Sequence, residues 1–100
     1  MIVRISDEGQ FELSDDLHSQ LNDLDDATVA AVDSGDESGF YRAFEALLDF
    51  VRSNGKMLAD DDLRGSHIIL PPADLTFHEA GQDFNGEGLV PDTEPAAQDN

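Results

Sequence analysis

Met1-Ile2-Val3-Arg4-Ile5-Ser6-Asp7-Glu8-Gly9-Gln10-Phe11-Glu12-Leu13-Ser14 is the stretch that decides how this chain folds. Val3 and Ile5 alternate with Arg4, and Phe11 and Leu13 alternate with Glu12, the period of a strand with one buried face. Asp7-Glu8-Gly9 between them supplies turn chemistry, and Gly9 takes a positive φ without steric cost. The pattern predicts a β-hairpin. A two-stranded hairpin is marginal alone, so its apolar face must lie on something else.

The following residues supply that cover. Ser14 is a suitable N-cap, and Asp15 and Asp16 place negative charge in the first turn, where the helix dipole favours it. Leu17, Leu21, Leu24, Thr28 and Val32 then fall on one helical face. Gly35 ends this helix, and Asp36 or Ser38 caps a second, whose apolar face is Phe40, Phe44, Leu47, Leu48 and Val51. Ser53-Asn54-Gly55 ends the second helix with the same glycine device. So short a turn between helices predicts an antiparallel helical hairpin.

Lys56 to Gly65 reads as a connector carrying Asp60-Asp61-Asp62. His67-Ile68-Ile69-Leu70 reads as a short third strand, closed by Pro71-Pro72 because proline cannot continue a ladder. Thr76-Phe77-His78-Glu79 matches a capping box, so a short helix starts near Phe77. From Asn85 onward the chain holds Gly, Pro, Asp, Glu and Gln, with little to bury. The expected organisation is therefore one α+β domain over residues 1–84 and a disordered acidic tail over 85–100. The domain is a β-hairpin and a third strand packed on a two-helix hairpin, with a short C-terminal helix.

Composition narrows the function. Of the 100 residues, 39% are hydrophobic, enough for one modest core, and cysteine is absent. Disulfides and thiolate metal sites are excluded. No basic segment precedes a long apolar one, and no apolar run approaches the roughly 18 residues of a membrane span; a cytoplasmic protein with no direct membrane insertion is expected. Twenty-three acidic residues stand against five basic ones, a formal charge of −18. Such a surface repels phosphate backbones and anionic lipid, so no nucleic-acid partner is expected. The acids are spread from Asp7 to Asp99 rather than gathered in a tail, which reads as adaptation to an extreme halophile's salty cytosol.

No catalytic constellation is visible, and no enzyme is expected. The serines lack an elbow motif, the glycines form no phosphate-cradling loop, and no cofactor site is indicated. His18, on the polar side of the first helix, His67 and His78 have no second histidine at metal-binding spacing. The carboxylate clusters Asp15-Asp16, Asp25-Asp26 and Asp60 to Asp62 lack the ligand order of a calcium loop and read as solvated faces. No metal is expected; the alternative is a small metal-binding domain using His67, His78 and nearby aspartates. Apolar residues beyond the needs of the core are the remaining signal. Tyr41, Ile69, Leu75 and Phe77 are the candidate partner-binding residues, with closure of the helical hairpin as their competing role. Self-association as a homodimer is a further alternative.

Met1-Ile2-Val3-Arg4-Ile5, Glu8-Gly9-Gln10-Phe11, Leu21-Asn22-Asp23-Leu24-Asp25-Asp26, Gly35-Asp36, Asp62-Leu63 and Ile69-Leu70-Pro71-Pro72-Ala73-Asp74 with Thr76 and Glu79 together resemble the PspA-associated domain PspAA. The chain departs from that pattern at Arg64-Gly65-Ser66-His67 and in its glycine-interrupted end. The resemblance implies a non-enzymatic adaptor or regulator of PspA, the coiled-coil membrane-stress protein of the phage-shock response. It also implies recruitment to the inner membrane face through that partner.

Overall fold

The computed structural model describes residues 1–59, 65–84 and 89. Asp60-Asp61-Asp62 and, Leu89 apart, the expected tail lie outside the described residues. The expected hairpin forms: β1 (Ile2–Ile5) pairs antiparallel with β2 (Gly9–Glu12), placing Val3 opposite Phe11 and Ile5 opposite Gly9. Its turn needs two left-handed residues, Asp7 at φ 72° and Gly9 at φ 132°. Aspartate is among the few non-glycine residues that tolerate this region.

Ser14 caps as expected, its hydroxyl accepting from the Asp16 amide, but the first turn, Asp15–Leu17, is a 3₁₀ turn. Helix α1 (His18–Asp33) follows, then α2 (Glu37–Asn54). The link is built from Gly35 at φ 74° and Asp36, whose carboxylate accepts from the Gly39 amide at 3.0 Å. Gly55 is not a second left-handed cap. Its φ is −95°, and its requirement is space: a Cβ there would sit 2.6 Å from the Val51 carbonyl and 2.9 Å from both Leu13 and Phe11.

The connector after α2 begins as a fourth strand, β3 (Lys56–Met57), too short to show periodicity in sequence. Strand β4 (Ile68–Leu70) lies at the other edge, parallel to β1, in the order β3-β2-β1-β4. One sheet face presents Val3, Ile5, Phe11, Ile68 and Leu70 to the helices, where they share a core with Leu21, Phe40, Phe44, Leu47, Leu48 and Val51. Removing such side chains from water stabilises a fold by about 1.5–3 kcal/mol each.

Helix α3 (Phe77–Asp83) starts at a complete capping box: the Glu79 amide donates to the Thr76 hydroxyl, and the Thr76 amide donates to the Glu79 carboxylate, each at 3.2 Å. It returns Ala80 and Phe84 to the core, where the Phe84 ring stands edge-on to Phe44 at 5.6 Å and to Phe40 at 6.1 Å. The late apolar segment thus closes the end of the helical hairpin.

Two polar residues of α1 depart from the solvated-face reading. His18 and Asp25 are 5% and 0% exposed. Leu17, Leu24 and Val32 of the expected apolar stripe are only half-buried. Because α1 touches both α2 and α3, its buried arc is displaced from the stripe that hydrophobicity alone marks. Asp25, one turn after Leu21, is carried inside, and its carboxylate accepts from the Leu89 amide at 3.1 and 3.2 Å.

Candidate partner-binding surface

Burying Phe40 and Phe44 in α2 turns the neighbouring Tyr41 outward, where it is 42% exposed. Its position is nevertheless fixed. The ring meets the edge of Phe40 at 5.1 Å, and the hydroxyl accepts a 2.9 Å hydrogen bond from the Phe77 amide at the start of α3. The Phe77 ring packs 5.8 Å from Phe40. Tyr41 therefore stands as a ridge between two hollows. One, of about 240 Å³, is lined by Tyr41, Arg42, Phe44, Glu45, Leu48, Arg52 and Ala73. The other is lined by Val32, Glu37, Tyr41, Thr76, Phe77, His78 and Gly81.

The two arginines beside this ridge differ. Arg52 is committed: Nε donates to Glu8 Oε1 at 2.8 Å, Nη2 pairs with Glu8 Oε2, and Nη1 meets Asp49 at 2.9 Å. These hydrogen bonds hold the Glu8 carboxyl below its ordinary pKa and push the Arg52 guanidinium up. Arg42 is exposed and makes no ion pair among the described residues. Sequence reasoning passed over it; two arginines on one helix, in a chain with five basic residues, was the available signal.

The sequence-derived candidates separate. Tyr41 and Phe77 are brought into direct contact. Leu75 is 8% exposed and packs in the core, so its side chain is spent on closing the fold. Ile69 is 58% exposed but points away from the helices, next to Arg4 across the β1–β4 ladder. It cannot share one flat contact with Tyr41.

The histidines do not converge on a metal. His67 Nδ1 accepts from the Ile2 amide at 3.0 Å, while His78 lines the hollow beside Tyr41. Among the described residues, no group of three or more His, Asp or Glu side chains could hold a metal ion. A second polar cluster is structural in character. The Met1 ammonium donates to the Leu13 carbonyl and the Asp15 carboxylate, both at 2.8 Å. That hydrogen bond lowers the Asp15 pKa, with smaller help from the charges of His67 and His18. What the Tyr41 ridge can do chemically is seat an apolar side chain and pair one carboxylate.

Together, the helical hairpin on a mixed four-stranded sheet and the short helix closing its end define a small α+β domain. The chain belongs to the PspAA family of PspA-associated proteins, whose family model matches residues 1–92. No curated protein and no solved structure matches it. Among the described residues no helix is long and apolar enough to cross a membrane.

Proposed function

We propose that this chain is a non-enzymatic adaptor that binds a PspA-like coiled-coil protein, working in the cytoplasm and reaching the inner membrane face through that partner. The observation that carries the reading is membership of the PspA-associated family over residues 1–92. The exposed, fixed Tyr41 supports it. Tyrosine and arginine are enriched among residues that dominate binding energy, and a side chain already held in place loses little entropy on contact.

The test is affinity purification of the protein from its own cells, kept at cytosolic salt throughout, followed by mass spectrometry. Recovery of a PspA-like coiled-coil protein supports the adaptor. Repeated preparations without it, under conditions where PspA is expressed, overturn it. Light scattering on the same material separates a monomer from a homodimer formed through the exposed apolar residues.

A further inference from the structure

We propose that the outer face of α2, from Tyr41 to Arg52, is where one helix of the coiled-coil partner docks, with an apolar side chain in the hollow beside Tyr41 and a carboxylate on Arg42. This rests on the adaptor reading and adds the surface and its chemistry. Tyr41, Glu45, Leu48 and Arg52 are spaced at i, i+4, i+7 and i+11 along one side of α2, a groove roughly 16 Å long at 1.5 Å per residue. That length accommodates about three turns of a partner helix, and Ala73 at its side is small enough to admit close approach.

Charge selects the occupant. Twenty-three carboxyl-bearing residues oppose the approach of anything acidic. Arg42 is the point on this face where a carboxylate is welcomed, because no internal partner has taken its charge among the described residues. Arg52 cannot serve in the same way, being held by Glu8 and Asp49. An apolar residue flanked by an acidic one is what the edge of a coiled-coil seam presents. Two other exposed apolar and cationic pairs occur among the described residues, Arg4 beside Ile69 and Lys56 beside Met57, and both lie on strands of the sheet rather than on α2.

The experiment measures binding of full-length purified PspA from the same organism to the full-length chain by titration calorimetry at cytosolic salt. The variants are Arg42→Glu, Ala73→Glu and Ile69→Glu, all at exposed positions, each checked for wild-type circular dichroism. The expected result is a loss of affinity of about tenfold or more for Arg42→Glu and Ala73→Glu, with Ile69→Glu unchanged. Wild-type affinity in the first two overturns the docking face and leaves the adaptor standing; loss confined to Ile69→Glu does the same and moves the interface to the sheet. No binding by the wild-type protein overturns the adaptor reading and the docking face together.

Discussion

Glu8 and Arg52 join the hairpin turn to the far end of α2 across 44 positions of sequence. Because the pair lowers the Glu8 pKa, the stability it contributes is fully present above the ordinary glutamate value and is lost as pH falls through the lowered one. Glu8→Gln should therefore cost about 0.5–1 kcal/mol at neutral pH, a modest figure because the pair is partly solvated. The gap between variant and wild type should close as acid protonates Glu8 in the wild type. Urea melts of both proteins from pH 7 to pH 3 would show this; a gap that persists undiminished at pH 3 would mean that shape, not charge, sets the effect. Gly55 offers a different test. Its φ of −95° suits alanine, yet the Cβ would collide with the Val51 carbonyl, and backbone cannot step aside as a flexible side chain can. Gly55→Ala should destabilise by about 1–3 kcal/mol, the range for overpacking. At Gly81, where a Cβ meets nothing within 4 Å, the same substitution should not destabilise. Equal effects at the two positions would contradict the steric account.

At the scale of elements, legibility followed length and periodicity. The hairpin, both long helices and the Thr76 capping box were readable because each repeats a period or fills a cap position that chemistry restricts. Strand β3 was not, since two residues carry no period and its pairing with Phe11 and Glu12 is purely tertiary. Asp25 was misread for a related reason. Hydrophobicity cannot register a carboxylate whose hydrogen-bond partner arrives 64 residues later, from Leu89. The candidate site was half legible: Tyr41 and Phe77 stood out as surplus apolar residues, but the hydrogen bond joining them, and the lack of an ion pair to Arg42 among the described residues, exist only in three dimensions. The Asp25 contact also yields a prediction about where the folded unit ends. Leu89 is half-buried against the core, and the family match runs to residue 92, past the expected boundary at 84. Truncation after residue 84 removes an amide from a fully buried carboxylate and should cost about 1–3 kcal/mol, whereas truncation after 92 should cost nothing. Thermal melts of the two truncated chains decide it; equal melting temperatures would place the end of the unit before Leu89.

For the whole molecule, the charge imbalance is too large to be settled internally. The described residues contain three ion pairs, one of them made by the amino terminus, against a formal charge of −18. Most of the other described carboxylates, the buried Asp25 apart, lie at exposed positions, and folding brings them closer together. Salt must supply the screening: the Debye length is about 10 Å at 0.1 M and about 3 Å at 1 M, so only the higher concentration confines repulsion to nearest neighbours. Stability should accordingly rise with salt from 0.1 M to several molar, read as the urea midpoint by circular dichroism. Acid provides the internal check, because it acts with opposite signs on two populations of carboxylates. Protonating the dispersed majority removes repulsion and stabilises the fold. Protonating Glu8 and Asp15, whose pKa values are lowered by Arg52 and the amino terminus, removes attraction and destabilises it. In molar salt the first effect is screened away, and stability should simply fall as pH drops below the ordinary carboxylate range. In dilute buffer the first effect should dominate initially, so stability should rise on mild acidification before it falls. A pH of maximum stability that is lower in dilute buffer than in molar salt is the expected signature. Midpoints that ignore salt at every pH would show that the acidic surface imposes no such burden, and its reading as an adaptation to salt would have to be abandoned.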